Sequence, residues 1–274
     1  MLFVPAECCT RVVTNGGIVG SATPFTSVAS GASTNTYGAV TELISAANND
    51  QDNWGIAIGI INSGAITTAS EATCDILIGG ATDDILIKAL ICGGSYNARM
   101  TTYFFPLYIP SGLRIAAQTS SVRVSAPIRV AAWLYGGGNP PFKTGCRVTT
   151  YGTQINNSRG QAVVPTASGG AASVTQMTAS SSADEFYFLP GFQNSTDTTV
   201  TPAGWMNVGI GVGAATEERI GTWWVGKDTD EGNTGPMPQF GAFRDVPSAT
   251  RLSLLVSNSG ANDAAYDGLI YAVS

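Results

Sequence analysis

This sequence predicts an all-β protein made of two tandem antiparallel β-sandwiches, jelly-roll-like in their connections and related by an internal duplication. Three observations lead there. Apolar residues fall in many short runs with period-two alternation, and Gly, Pro, Asn and Asp punctuate them. The stretch Ile109-Pro110-Ser111-Gly112-Leu113-Arg114-Ile115-Ala116-Ala117-Gln118-Thr119-Ser120 returns as Val246-Pro247-Ser248-Ala249-Thr250-Arg251-Leu252-Ser253-Leu254-Leu255-Val256-Ser257, with Pro, Ser, Arg, an aliphatic and a final Ser at one offset of 137 residues. Around that stretch one order of features occurs twice.

Taken in order, residues 1–20 read as an N-terminal arm, or a first strand that pairs outside its own domain, ending near the turn signal Thr14-Asn15-Gly16-Gly17. The first sandwich spans 21–138. Tyr37 to Ala46 is a strand or a short helix. Trp54 to Ile61 is a strand with aliphatics at 56, 58 and 60 and small residues between them, which implies a close layer on the second face. Asp75 to Gly79 and Asp84 to Ile91 are strands by their β-branched content. Tyr103 to Tyr108 leads into the repeated stretch, where the proline opens an extended run because it fixes φ and cannot donate to an interior ladder. Ile128 to Tyr135 closes the first copy.

Gly136-Gly137-Gly138-Asn139-Pro140-Pro141 marks the boundary, and 139–172 is expected to be a linker with one short strand at Cys146 to Tyr151. The second sandwich spans 173–274. Here the Trp205 strand is expected to match the Trp54 strand, Asp184 to Leu189 to stand where Tyr37 stood, and Glu217 to Gly226 to answer Glu71 to Gly79. Phe240 to Phe243 answers Tyr103 to Phe105, and Gly268 to Val273 answers Ala131 to Gly136. On that overlay the offset falls from 151 at the tryptophans to 137 at the prolines, implying a deletion near Leu90 to Arg99.

Composition narrows the function. Of 274 residues, 44% are hydrophobic and only 12% charged, against about 25% in ordinary domains. Such an uncharged exterior suits a protein that lives packed against copies of itself. The net charge of −6 and the lack of any Lys/Arg cluster argue against phosphate-backbone binding, so no nucleic acid is expected. No apolar run approaches the roughly 20 residues that span a bilayer, so no membrane is expected. Met1 to Thr10 lacks the basic and apolar regions of a signal peptide.

The five cysteines, Cys8, Cys9, Cys74, Cys92 and Cys146, make a poor disulfide framework. Cys74 and Cys92 read as small buried hydrophobes, and the Cys8-Cys9 pair as a weak candidate for metal binding or cross-linking. There is no histidine. That removes Ser-His-Asp and Cys-His machinery and the commonest transition-metal ligand.

Other chemistry is thin. Lys227-Asp228-Thr229-Asp230-Glu231-Gly232-Asn233 has oxygen ligands for Ca²⁺ but lacks the EF-hand register and reads as a solvated loop; Asp50 with Asp52 reads the same way, and neither site recurs in the other copy. Asp83-Asp84 and Glu217-Glu218 point to opposite faces of a strand, the wrong arrangement for a hydrolase acid pair. No glycine run forms a phosphate loop. No catalytic residue, cofactor or metal is therefore expected. Arg114 and Arg251, being repeated, read as structural ion-pair or carbonyl-capping residues. Trp54 and Trp205 read as core. Trp223 and Trp224 are neighbours on a strand, so one of them faces out, toward a partner or a glycan.

Over its whole length the chain resembles structural proteins of tailed-bacteriophage virions in being charge-poor, Ser/Thr/Gly/Ala-rich and built of tandem β-sandwiches behind an arm. The resemblance is one of style and carries over no functional residue. It implies a non-enzymatic capsid decoration (cement) or head–tail accessory subunit, located in the virion, working as a homo-oligomer against other virion proteins. The competing reading is a carbohydrate- or receptor-binding module of a fibre or secreted protein, with Trp223 or Trp224 on the ligand. A hydrolase ranks third.

Overall fold

In the computed structural model the described residues are 11–14, 25–62, 71–80, 82–92, 100–166, 171–194, 204–214, 216–227, 240–259 and 266–274. They form strands joined by turns, with one short 3-10 turn at Ile155–Asn157. The first half holds β1 (Arg11–Thr14), β2 (Thr26–Ala29), β3 (Thr36–Tyr37), β4 (Thr41–Ile44), β5 (Asn53–Asn62), β6 (Ala72–Gly79), β7 (Asp83–Ile91), β8 (Met100–Phe105), β9 (Arg114–Ser121) and β10 (Pro127–Gly136). The second holds β11 (Val148–Tyr151), β12 (Gln161–Val163), β13 (Ser173–Thr178), β14 (Glu185–Asn194), β15 (Gly204–Val212), β16 (Glu218–Lys227), β17 (Ala242–Val246), β18 (Leu252–Asn258) and β19 (Tyr266–Val273).

Each half is a sandwich of two antiparallel sheets, and the strand orders match. The first pairs β1-β10-β5-β8, with β2 also on β10, against β3-β9-β6-β7, with β4 also on β9. The second pairs β11-β19-β14-β17, with β12 also on β19, against β13-β18-β15-β16. This is jelly-roll order in both cases: strands far apart in sequence become neighbours, and β10 and β19 each pair along one edge with two short strands.

The repeated stretch is the same turn twice, down to its hydrogen bonds. Gly112 and Ala249, third in each turn, lie at φ 75° and 61°, the left-handed region. The Asn49 carbonyl accepts the Gly112 N–H at 2.6 Å, and the Ser181 carbonyl accepts the Ala249 N–H at 2.9 Å. The Ser111 N–H donates to Asp52 Oδ1 at 2.9 Å, and the Ser248 N–H to Asp184 Oδ1 at 2.7 Å. Arg114 then pairs with Asp83, and Arg251 with Glu217 at 2.7 Å, tying the strand after the turn to its neighbouring hairpin. Both arginines have the structural role their recurrence implies, and Arg251 also donates to the Ala214 carbonyl at 3.1 Å.

These caps fix the true overlay and correct the expected one. Asp52 corresponds to Asp184, 132 residues on, so the Trp54 strand matches β14 rather than the Trp205 strand. β15 matches β6, and β16 matches β7. The offset rises from 132 at the aspartates to 137 at the prolines, so the second half is the longer one across that span. Period-two alternation caused the slip: any Trp-headed strand resembles another, and hydrogen-bond order alone separates them.

Two stretches behave differently from the expected division. Arg11–Thr14 of the 1–20 arm pairs with β10 of its own half. The expected linker 139–172 supplies β11 and β12, which pair with β19, so the second roll starts at Val148.

The halves are welded. Sheet β11-β19-β14-β17 sends Phe188, Phe192, Ile270 and Ala272 into the core of the second sandwich. From its other face, Tyr187, Leu189, Leu269, Tyr271 and Val273 join the core of the first. The docking point is a bulge in the edge strand β7, where Ala89 takes φ 55° and the register with β6 shifts. Its freed backbone groups are met by side chains. Asp75 accepts the Ala89 N–H at 2.7 Å, Tyr271 donates to the Ala89 carbonyl at 3.1 Å and accepts the Ile91 N–H at 2.9 Å, and Thr150 donates to the Lys88 carbonyl at 2.7 Å. Tyr271 also packs edge-on to Tyr103 with ring centres 5.5 Å apart.

Removing one hydroxyl tests the weld. Tyr271→Phe keeps the ring but strands a buried N–H and carbonyl, and is expected to lower unfolding free energy by about 1–3 kcal/mol in urea titration. Tyr271→Ala, which also opens a cavity, is expected to cost about 3–5 kcal/mol. An unchanged midpoint for the phenylalanine variant would show that the hydroxyl bonds contribute nothing.

Candidate functional site

The outer face of sheet β13-β18-β15-β16 carries the most unusual surface among the described residues. Along β15, Met206, Val208 and Ile210 point into the second core. Alternation therefore turns Trp205, Asn207, Gly209 and Gly211 outward. On β16, Trp223 and Val225 point in, so Trp224 and Thr222 point out. Trp224 is 62% exposed and Trp205 47%. Their rings meet edge to face, centroids 4.5 Å apart. Beside them the Arg219 guanidinium lies over Gly209 and donates to Asn207 Oδ1 at 3.1 Å. An aromatic pair flanked by a planar cation and an amide can bury an apolar partner surface, stack on a sugar ring, or hold a cation.

The two tryptophans singled out from sequence thus part company. Trp223 is buried, and its Nε1–H donates to the Phe240 carbonyl at 2.9 Å. Trp224 stands on the surface. Trp54 is core, packed on Tyr135 and Phe142. Trp205 is not, which corrects the expectation that it is buried. Its parity relative to Met206, Val208 and Ile210 already placed it outside; the weight given to tryptophan as a core residue hid that signal.

A concavity of about 320 Å³ opens at the end of the second sandwich between Lys143, Asp184, Glu185, Asp245, Val246 and Pro247. Lys143 bonds Asp245 at 3.2 Å and sits 4.4 Å over the Phe186 ring. Glu185 is buried. Tyr151 donates to its Oε1 at 2.6 Å, while Oε2 has no partner. Burial pushes its carboxyl up to about 7. At the weld, Asp267 is fully buried with Gln193 donating to it at 3.3 Å. Burial, with nearby Glu71 adding to it, pushes Asp267 up to about 7 as well. Asp52 and Asp184 go the other way, held below the usual range chiefly by the serine N–H groups they cap.

The remaining candidates resolve as structure. Cys74 and Cys92 are buried free thiols, as expected of small hydrophobes, and Cys146 is an exposed one. Asp83 is bound to Arg114, Glu217 to Arg251, and Glu218 to Arg244 at 2.9 Å. Asp52 is a turn cap that recurs as Asp184, so the expectation that its position has no counterpart was mistaken. Among the described residues no three Asp, Glu or Cys side chains converge as metal ligands. Cys8, Cys9 and the Asp228–Glu231 cluster lie outside the described residues.

No family model matches this chain, and no curated protein does. Several solved structures share its outline at low similarity. PNGF-II matches with a TM-score of 0.39 and 9% identity over 97% of this chain, which spans 65% of that one. The cowpea mosaic virus top component matches at 0.31 and 10%, covering 90% of this chain and 92% of that one. The CBM22-1–CBM22-2 tandem domain of Paenibacillus barcinonensis Xyn10C matches at 0.31 and 8%, covering 99% and 100%.

The buried acids fix the sign of the pH response. Glu185 and Asp267 hold protons in the fold that the unfolded chain has released, so the folded state is favoured at low pH. That advantage is lost as pH rises from the ordinary carboxylate values of 4.5 and 3.8 toward about 7. Urea midpoints are expected to fall from roughly pH 5 to pH 8, and the isosteres Glu185→Gln and Asp267→Asn to flatten that slope. A midpoint that climbs over this range would contradict the assignment.

Proposed function

We propose that this chain is a non-enzymatic structural subunit of a virion, a capsid or decoration protein that works by packing against neighbouring subunits. One observation carries the reading: two jelly rolls of the same strand order are fused through an apolar, hydrogen-bonded weld into one block. Such a block holds two sandwiches at fixed separation and angle, which is what a shell or its mortar needs from a building unit. Low charge and an outward aromatic pair supply surface that costs little to dehydrate when a neighbour covers it.

The finer placement, as a cement or head–tail accessory protein of a tailed phage, follows the sequence resemblance. It is tested by adding labelled protein to purified phage shells and sedimenting them. Saturable co-sedimentation is expected, and its absence would refute the cement placement.

A second reading, glycan binding, draws on Trp205 and Trp224 with Arg219 and Asn207 beside them. A glycan array separates the two. A structural subunit shows no sugar preference, whereas a binding module gives a hit that Trp224→Ala abolishes.

A further inference from the structure

The internal repeat gives each exposed tryptophan a counterpart position in the first roll. Arg114 and Arg251 anchor corresponding registers on β9 and β18. Ser120 opposite Thr73 then corresponds to Ser257 opposite Asn207. Thr73 pairs with Ile91 across β6 and β7, and Asn207 pairs with Trp224 across β15 and β16. Trp224 therefore occupies the position of Ile91, and Trp205 that of Glu71. In the first roll this face is closed. Ile91 is fully buried, its N–H held by Tyr271 of the second roll, and Glu71 is buried near Asp267.

The covering surface has a counterpart too. Asp52 and Asp184 align β5 with β14, so Ala57 corresponds to Leu189 and Gly59 to Gly191. Ala57 pairs with Trp133, and Leu189 with Tyr271. Trp133 is thus the first roll's Tyr271, and Arg129 its Asp267. The local packing agrees. A Cβ at Gly191 would meet the Tyr271 ring at 2.8 Å, and one at Gly59 the Trp133 ring at 2.9 Å, so both aromatics lie across a glycine. Tyr271 is buried in the weld, whereas Trp133 is only half-buried, with exposed Met100 and Val12 on the same face and Arg129 exposed at its end.

We infer that the outer face of β1-β10-β5-β8 in one copy docks on the outer face of β15 and β16 in another, repeating between chains the weld within each. The contact sets Trp133 against Trp224, where Tyr271 meets Ile91, and Arg129 against Trp205, where Asp267 meets Glu71. The first replaces a hydroxyl-to-backbone contact by two aromatic surfaces; the second replaces a carboxyl pair by a guanidinium on an indole. Because the two faces differ, the contact is head-to-tail and builds a ring if the rotation closes, or an open chain if it does not. The inference deepens the self-packing part of the proposed function but needs no virion, so its failure would leave shell binding standing.

The test is sedimentation velocity and light scattering on the purified full chain. Wild type is expected to associate with increasing concentration. Trp224→Arg and Arg129→Glu are each expected to weaken association by about tenfold or more, as loss of a central contact does, with unchanged circular dichroism and melting. Both positions are on the surface; Trp133→Glu serves as a further variant where its fold is intact. The deciding measurement is a mixture. Trp224→Arg keeps a sound β10 face and Arg129→Glu a sound β16 face, so together they are expected to form a dimer that grows no further. A monomeric wild type at about 100 µM, well above the Kd of standard interfaces, overturns the inference. So does undiminished association of both variants, a closed two-fold dimer through one face, or Trp224-dependent glycan binding by a monomer.

Discussion

An unpaired strand edge has to be dealt with, and in this protein the edge in question is β7. Its bulge at Ala89 turns backbone groups of Lys88, Ala89 and Ile91 away from the ladder. Buried N–H and C=O groups without partners are costly, so something has to meet them. The partners come from two directions. Asp75, held by Tyr37 and Gln118, answers from within the first sandwich, while Tyr271 and Thr150 answer from the second. An edge that would otherwise invite another chain is thereby converted into the seam between two domains. The double burial of sheet β11-β19-β14-β17, and the single body the two rolls make, follow from it.

Much of this was legible in the sequence, for identifiable reasons. The Pro-Ser-x-x-Arg stretch is visible twice because both turns use the same parts, a left-handed third residue and an arginine paired to the neighbouring hairpin. Its caps, Asp52 and Asp184, were not visible as such, because each acts on a residue some sixty positions away, at |i−j| of 59 and 64. β11 falls where a short strand is expected, at Cys146 to Tyr151, but both it and β12 lie in the expected linker 139–172, because runs of four and three residues are too short to carry a period-two signal. The seam itself left a trace that went unread. Leu269, Ile270, Tyr271, Ala272 and Val273 run apolar without alternation, the pattern of a strand covered on both faces. Trp205 shows the converse: its parity with Met206, Val208 and Ile210 puts it outside, although tryptophan is more often a core residue.

The outer aromatic pair and the buried acids sit at opposite ends of one design choice. A surface with few charges has little to hold it in water, and here the exposed tryptophans cluster instead of scattering. Inside, carboxyls at Glu185 and Asp267 are kept where solvent cannot reach them, each with one oxygen lacking a partner. Burial of that kind favours the protonated carboxyl, so the fold gains most from these groups where they are neutral.

Fusion of the rolls also changes how fast anything larger can be put together. Two separate sandwiches brought to a growing assembly must each surrender translational and rotational freedom, a loss of several kcal/mol per body. Joined through the Tyr271 seam they arrive already oriented, and that loss is incurred once per pair. An assembly made from such units needs fewer encounters to nucleate and offers fewer intermediates in which a sandwich can be misplaced.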